Sequence, residues 1–187
     1  AREALDHYET ALRLRPDAAD LHAGLAAALV RLERVPEAVA QYEQAARLGL
    51  LAAEEQLGFG RALAEVGRVD DALAHLREAV RLNPKDAGTH VVLGMVLSAA
   101  GRGAEALRHF FTAVQLAPDD AGAHAALGDA LVEAHRPSEA VPHYETALRL
   151  HPDQEASIHT SLGNALSRLG RAFEAIREYE EALRLNP

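Results

Sequence analysis

Residues 87–120 read AGTHVVLGMVLSAAGRGAEALRHFFTAVQLAPDD, and the spacing of small and apolar residues in this stretch decides the fold. Such residues recur at steps of three and four, which is typical of one face of an α-helix. The pattern occurs twice, before and after the Gly101-Arg102 turn, and predicts a helix, a turn and a second helix. The residues that carry it are Val91, Leu93, Gly94 and Leu97 on the first helix and Ala106, Phe110 and Ala113 on the second.

This unit repeats along the chain with a period of 34 residues. Prolines close successive units at positions 16, 84, 118, 152 and 187, at spacings of 68, 34, 34 and 35 residues, and Leu50 stands where a further proline is due. Five and a half units fill the chain, so the sequence predicts a single domain over residues 1–187. The predicted units are a half unit at 1–18 and full units at 19–52, 53–86, 87–120, 121–155 and 156–187.

Glycines and acidic residues mark the expected ends of the helices. Gly67, Gly101 and Gly170 follow the first helix of their units, where a left-handed residue ends a helix and only glycine adopts that conformation without a steric penalty. An acidic residue after each closing proline is expected to cap the next helix. These candidate caps are Asp17, Asp86, Asp120 and Asp153.

Composition favours helices and excludes several kinds of site. Hydrophobic residues make up 49% of the chain, aromatic residues only 4%, and tryptophan is absent, so we expect an all-α core of alanine, leucine and valine. The absence of cysteine excludes disulfides, thiolate metal sites and cysteine nucleophiles. The formal net charge is −9 with dispersed basic residues, so neither a nucleic acid nor an anionic membrane is expected as a partner.

The repeated positions resemble those of the tetratricopeptide repeat (TPR) family over the whole chain. Small residues stand where paired helices cross, and an aromatic residue and two alanines recur on the second helix; histidine or glutamine stands where the family often has tryptophan. The crossing positions are Ala26, Gly60, Gly94, Gly128 and Gly163. The aromatic positions are Tyr8, Tyr42, Phe110, Tyr144 and Tyr179, with Leu76 as a substitute. The alanines are Ala4, Ala38, Ala72, Ala106, Ala140 and Ala175, then Ala11, Ala45, Ala79, Ala113, Ala147 and Ala182.

The resemblance implies a right-handed superhelical α-solenoid of antiparallel helix pairs, with a concave groove lined mainly by the first helix of each unit. A protein or peptide partner is then expected in the groove, and the small, apolar lining suits an amphipathic helix. The family's groove positions correspond here to Ala23, Ala27, Val30, Leu57, Arg61, Val91, Met95, Ser98, Ala125, Asp129, Val132 and Asn164.

Histidines are the residues that most suggest a metal or catalytic site. They form two rows, one on the first helices and one on the second, and neighbours within a row are expected about 8–10 Å apart, too far to share one zinc ion. We therefore interpret them as packing or solvated residues and expect no metal. Protonation of all ten would change the formal charge from −9 to +1, so pH-sensitive binding is a further hypothesis. The rows are His22, His90, His124 and His159, and His7, His75, His109 and His143.

No phosphate loop, nucleophile elbow or zinc-protease motif occurs, so we expect neither enzyme activity nor a cofactor. Arginines at the predicted turns, each followed three residues later by an acidic residue, are interpreted as solvated charges.

The leading hypothesis is a protein-interaction scaffold. One alternative is the non-catalytic, substrate-recruiting region of a larger enzyme such as a glycosyltransferase, since the chain starts at Ala1 in helical sequence as a fragment would. Another is a self-assembling structural protein, with a homodimer or end-to-end association through the last helix.

Overall fold

The computed structural model of the chain describes residues 2–49, 51–150 and 156–186. Within these ranges it contains eleven α-helices and no strand, which confirms the all-α prediction. The helices are α1 (Arg2–Leu14), α2 (Ala19–Val30), α3 (Val35–Leu48), α4 (Ala53–Glu65), α5 (Val69–Leu82), α6 (Ala87–Ala99), α7 (Gly103–Leu116), α8 (Ala121–Glu133), α9 (Pro137–Leu150), α10 (Ala156–Arg168) and α11 (Ala172–Leu185).

The helices group into two compact units. Unit 1 is Ala1–Lys85 with α1 to α5, and unit 2 is Asp86–Pro187 with α6 to α11. Each predicted repeat forms a packed pair, namely α2 with α3 and α4 with α5 in unit 1, and α6 with α7, α8 with α9 and α10 with α11 in unit 2. We call α2, α4, α6, α8 and α10 the first helices. Leu50 and Pro187, and residues 151–155 with Pro152 and Asp153, lie outside the described residues.

Two of the predicted helix caps are confirmed. The Asp86 carboxylate accepts a hydrogen bond from the Thr89 backbone N–H at 2.9 Å, and Asp120 accepts one from Ala123 at 3.1 Å. Each carboxylate satisfies an N–H that has no partner within the helix. The prediction for Asp17 is wrong, because α2 begins at Ala19 and its N-cap residue is Ala18, which has no polar side chain.

The turns within the pairs confirm the role assigned to glycine. Gly67, Gly101 and Gly170 have φ values of 80°, 73° and 74°, in the left-handed region. The two other described turns place Glu33 and His135 at the same position, each with φ of 59°. The backbone of these two residues is in the left-handed conformation, which costs a non-glycine residue about 1–2 kcal/mol.

Small residues allow the paired helices to approach closely. A Cβ atom added at Gly94 would lie 2.7 Å from Phe110 Cε1, and one added at Gly128 would lie 2.6 Å from Tyr144 Cε1. Both rings are buried, so they pack directly on the backbone of the facing helix. The alanines predicted on the second helices are buried throughout α3, α5, α7, α9 and α11, as Ala38, Ala72, Ala106, Ala140 and Ala175, then Ala45, Ala79, Ala113, Ala147 and Ala182.

In each full repeat, an arginine just before the second helix forms an ion pair with a carboxylate three residues later. In unit 2, for example, Arg136 Nε donates to Glu139 Oε1 at 2.7 Å, and both side chains are exposed. Water screens such pairs, so they orient the turn without adding much to stability. The others are Arg34–Glu37, Arg68–Asp71, Arg102–Glu105 and Arg171–Glu174.

Candidate functional site

A cleft of about 630 Å³ lies in unit 1, between the faces of α2 and α4. The lining positions are 20, 23, 24, 27, 30 and 31 along α2 and its C-cap residue, and 54, 55, 57, 58 and 61 along α4, so each helix presents a single face. Tyr8 from α1 and Tyr42 from α3 also line the cleft. The full lining is Tyr8, Asp20, Ala23, Gly24, Ala27, Val30, Arg31, Tyr42, Glu54, Glu55, Leu57, Gly58 and Arg61.

The cleft contains all five groove residues that the family pattern places in unit 1: Ala23, Ala27, Val30, Leu57 and Arg61. Arg61 is exposed and Ala23 is buried, with the other three between these limits. Their common location follows from the repeat, because equivalent positions on neighbouring parallel helices face the same side.

The groove residues of unit 2 lie on α6, α8 and α10, and several of them already bond within the protein. Tyr144 donates a hydrogen bond to Asp129 Oδ1 at 2.7 Å, and Tyr179 donates one to Asn164 Oδ1 at 2.8 Å. The Val132 backbone carbonyl accepts from Arg168 Nη1 at 3.1 Å, which joins α8 to α10.

The four remaining groove residues of unit 2 are Val91, Met95, Ser98 and Ala125. Met95 is exposed, whereas Val91 and Ala125 are half-buried. Ser98 Oγ is buried and, within the described residues, has no hydrogen-bond partner. A buried hydroxyl without a hydrogen-bond partner lowers the stability of the fold, so Ser98 carries an unsatisfied polar group on this face.

The tyrosine hydroxyls distinguish the two units. The residue fifteen positions before each tyrosine supplies its acceptor in unit 2, as Asp129 or Asn164, but the equivalent residue before Tyr42 is Ala27. Tyr42 instead borders the cleft, next to Gly58. Burial raises the pKa of Tyr42, and the nearby Glu55 and Glu54 add to this, so the hydroxyl stays protonated and can both donate and accept.

The pKa of Tyr144 is also raised, first by burial and then by the hydrogen bond and charge of Asp129. Both tyrosines are therefore neutral at physiological pH. They differ in whether a side chain of the protein already accepts the phenolic proton.

The two rows of histidines meet in pairs across the helices, which the sequence analysis did not anticipate. His90 Nδ1 lies 3.0 Å from His109 Nδ1, and His124 Nδ1 lies 3.1 Å from His143 Nδ1, and the partners are nineteen positions apart in the sequence in each case. The same two positions are filled in the other repeats by His22 with Gln41 at 2.7 Å, Gln56 with His75 at 2.7 Å, and His159 with Glu178 at 2.7 Å.

These contacts give every described repeat a polar pair between its first and second helix. His124 Nε2 also lies 3.0 Å from the Pro118 carbonyl, which only accepts, so Nε2 carries the proton in the neutral ring. The Nδ1 atom of His124 then accepts from the Nδ1–H of His143. The recurrence of glutamine and glutamate nineteen residues from a histidine was the sequence signal for this pairing.

Burial lowers the pKa of two of the paired histidines. For His143 the second cause is the charge of His124, and Glu139 opposes both. For His75, burial is opposed by Asp71 and assisted by Arg68. Both lowered pKa values favour the neutral form of the ring. Among the residues that the structure describes, no group of three or more histidine or acidic side chains is placed to hold a metal ion.

The described helices are 12 to 14 residues long. In the described part of the chain, none combines the length and the apolar character needed to cross a bilayer.

Comparison with known proteins gives matches to tetratricopeptide repeat models along the chain. One model matches residues 63–130, and a second matches residues 1–53 and 125–187. No protein of curated function matches the sequence.

Several solved structures are similar in fold. One is described as YrrB, a TPR protein with an unusual peptide-binding site; it is 21% identical, with a TM-score of 0.81, over 98% of this chain and 94% of that one. MamA from residue 41 to the end, from Desulfovibrio magneticus RS-1, is 24% identical with a TM-score of 0.81, over 89% and 94%. MamA MSR-1 C2 is 22% identical with a TM-score of 0.77, over 90% and 96%. At these identities the likeness confirms the predicted helical-repeat fold class and is limited to fold.

Proposed function

Because the chain belongs to the tetratricopeptide repeat family, we propose that it is a non-catalytic protein-interaction scaffold that binds a peptide segment or an amphipathic helix on the face of its first helices. The observation that carries this proposal is the cleft of unit 1, where the five predicted groove residues lie together. Its volume is within the range of about 300–1,000 Å³ found for ligand sites. The peptide-binding site described for YrrB, which shares the fold, supports the same class of partner.

The lining of the cleft suits a polypeptide. Ala27, Val30 and Leu57 offer an apolar surface, while the Tyr42 hydroxyl can pair with a peptide N–H or C=O group. A surface of this kind contributes affinity by burial and orientation by a few hydrogen bonds.

Selection from a displayed library of random peptides tests the proposal. The wild-type chain is expected to enrich binders, and Ala27→Phe is expected to abolish their binding because the added ring fills the cleft. Ala74→Phe is the matched control, since Ala74 lies exposed on α5 of the same unit and outside the cleft. Equal binding by both variants would refute this location, and a library that yields no binder would refute the function.

Unit 2 is tested separately by Val91→Glu combined with Met95→Glu, which places two charges on the face of α6. If the first-helix face of unit 2 takes part in binding, this variant loses affinity while keeping its helix content. Unchanged affinity would restrict the site to unit 1.

A second candidate function is self-association through α11. Phe173, Ile176 and Leu183 form an apolar stripe on this helix and are 88%, 52% and 66% exposed. In α9 the residue equivalent to Ile176 is Val141, which is buried, and α10 packs on that helix. An exposed stripe of this size favours association with a second copy of the chain. Mass measurement over a range of concentrations should show a dimer that Ile176→Glu removes; a concentration-independent monomer would refute it.

A further inference from the structure

The cleft of unit 1 has opposite charges at its two ends. Asp20 and Glu54 lie in the first turns of α2 and α4, whereas Arg31 follows the last residue of α2 and Arg61 lies in the second half of α4. The helix α3 packs against both α2 and α4, and the short connections before and after α3 reverse the chain direction each time, so α2 and α4 run in the same direction. The carboxylates therefore share one end of the cleft and the guanidinium groups lie toward the other.

The separation of these charges follows from helix geometry. With a rise of 1.5 Å per residue, Glu54 and Arg61 are about 10 Å apart along the axis of α4, and Asp20 and Arg31 are about 16 Å apart along α2. The surface between them is small and apolar, formed by residues such as Ala27 and Leu57.

The charged side chains that line the cleft differ in whether they are available to a ligand. The Glu55 carboxylate is not available, because it accepts a hydrogen bond from the Ala52 backbone N–H at 2.6 Å and caps α4. Asp20 has only a long contact of 3.9 Å with Arg15, and both side chains are largely exposed. In the part of the chain that the structure describes, Glu54, Arg31 and Arg61 form no ion pair.

The helix dipole does not account for the whole arrangement. It favours carboxylates in a first turn, as for Asp20 and Glu54, but its effect falls off within the first and last turns. Arg61 lies four residues before the end of α4, and Arg61 is the one cation at this repeat position, where the other repeats have Ala27, Met95, Asp129 and Asn164.

The floor of the cleft favours an extended segment over a helix. The backbone of a helix is already hydrogen-bonded internally, whereas an extended peptide needs partners for its N–H and C=O groups. Tyr42 can supply such a partner, because Ala27 stands where Asp129 accepts from Tyr144, and no described side chain accepts from the Tyr42 hydroxyl.

We propose that this cleft binds an extended peptide segment that carries one basic and one acidic side chain about 10–16 Å apart, with small or apolar residues between them. At about 3.3 Å per residue, the two charged residues stand three to five positions apart. The basic group lies between Asp20 and Glu54, and the acidic group contacts Arg61 and Arg31. This inference rests on the proposed function and specifies its ligand.

Peptides from a displayed library of random heptapeptides test the inference, with wild type and Arg61→Glu selected in parallel. Wild type should enrich sequences with a basic and an acidic residue at that separation, and Arg61→Glu should lose the preference for the acidic residue. The affinity of a wild-type binder should fall about tenfold in Arg61→Glu, because an attraction becomes a repulsion. Arg47→Glu on α3 makes the same change in net charge outside the cleft and should leave affinity unchanged.

The outcomes separate this inference from the proposed function. Binders without the charge pair, or binders that Arg61→Glu and Arg47→Glu affect equally, would overturn the inference and leave the scaffold function in place. A library that yields no binder to wild type would overturn both. Arg61→Gln, which removes the charge without reversing it, should give an intermediate loss and serves if Arg61→Glu fails to fold.

Discussion

Units 1 and 2 are built from the same repeat, but their polar side chains have different hydrogen-bond partners. In unit 2, Tyr144 and Tyr179 bond to Asp129 and Asn164 on the first helices, whereas the Tyr42 hydroxyl of unit 1 packs against Gly58 and borders the cleft. The helix pairs of both units are held by the same small residues. At the repeat position of Ala27, Asp129 and Asn164, the two units therefore differ in whether the first helix supplies an acceptor for a tyrosine hydroxyl.

The histidine pairs show a second difference between the units. Each repeat has a polar pair between its helices, but only unit 2, among the described residues, pairs histidine with histidine. Unit 1 uses His22 with Gln41 and Gln56 with His75 at the same positions. Glutamine does not titrate, so the units should differ in their response to pH.

The largest effect is expected from filling the helix crossing in unit 2. Gly94→Leu should lower the free energy of unfolding by about 1–3 kcal/mol, because its side chain would occupy the volume of the Phe110 ring. Gly60→Leu in unit 1 should cost a similar amount, since the added carbon would lie 2.7 Å from Cγ of the buried Leu76 and 3.2 Å from the Ala72 carbonyl oxygen. Denaturant titration measures both. Gly103→Ala is the control, with no atom near the added carbon, and a Gly94→Leu loss no greater than that of the control would contradict the packing account.

Exchanging the tyrosine acceptor tests the comparison directly. Asp129→Ala should destabilise unit 2, because the Tyr144 hydroxyl loses its acceptor. The expected loss is only about 1 kcal/mol, because the Asp129 carboxylate is exposed and an exposed hydrogen bond contributes less than a buried one. Ala27→Asp should give Tyr42 the same acceptor, stabilise unit 1 slightly and weaken peptide binding to its cleft. Hydrogen exchange locates each change in its unit. Unchanged peptide affinity in Ala27→Asp would show that the Tyr42 hydroxyl has no part in binding.

Acidification should act on the histidine pairs with a smaller effect. The folded-state pKa of His143 lies below the unfolded value of about 6.5, so the unfolded chain binds more protons as the pH falls. The contribution of neutral His143 to the free energy of unfolding is therefore fully present above about pH 6.5, and it is lost as the pH falls from there toward the pKa of the folded state. Because His143 is partly exposed, we expect a loss of less than about 1 kcal/mol.

Reciprocal substitutions isolate this effect. His143→Gln, which reproduces the pairing of His22 with Gln41, should reduce the loss of stability between neutral and mildly acidic pH, and Gln56→His should increase it. Thermal unfolding at several pH values measures the slope. Identical slopes for wild type and His143→Gln would show that the pair does not titrate in this range.

The smallest effect is expected at the interhelical turns, where both units have the same arginine–carboxylate pair. The pKa of Glu139 is lowered, first by its hydrogen bond with Arg136, but both groups are fully exposed. Glu139→Gln in unit 2 and Glu37→Gln in unit 1 should leave the unfolding midpoint unchanged, because water screens the pairs. A clear drop in either midpoint would show that the turns depend on their charges.

The sequence predicted the helices and most of their ends because the repeat marks them several times. The period and the closing prolines predicted the helix pairs, and Gly67, Gly101 and Gly170 predicted the left-handed turns. The cap prediction was wrong at Asp17 because α2 keeps the repeat register, which places Ala18 at the position of Asp86. The repeat register was therefore a better guide than the nearest acidic residue.

The site was predicted less completely, because it depends on contacts between helices. The family pattern indicated the cleft residues of unit 1, but it did not show that Asp129 and Asn164 of unit 2 bond to tyrosines. The histidines were treated as two separate rows, and the pairing of His124 with His143 needs the register of one helix against the other. Such register is set by packing and is not contained in the spacing along either helix.

The most direct test of the account is to map a bound peptide on the chain by backbone NMR. With a heptapeptide selected from the displayed library, the account predicts that the shifted amide signals cluster around Ala27, Leu57 and Arg61 in unit 1, while those around Asp129 and Asn164 stay unchanged. Shifts confined to unit 2, or spread evenly over both units, would contradict the claim that the open cleft of unit 1 is the binding site.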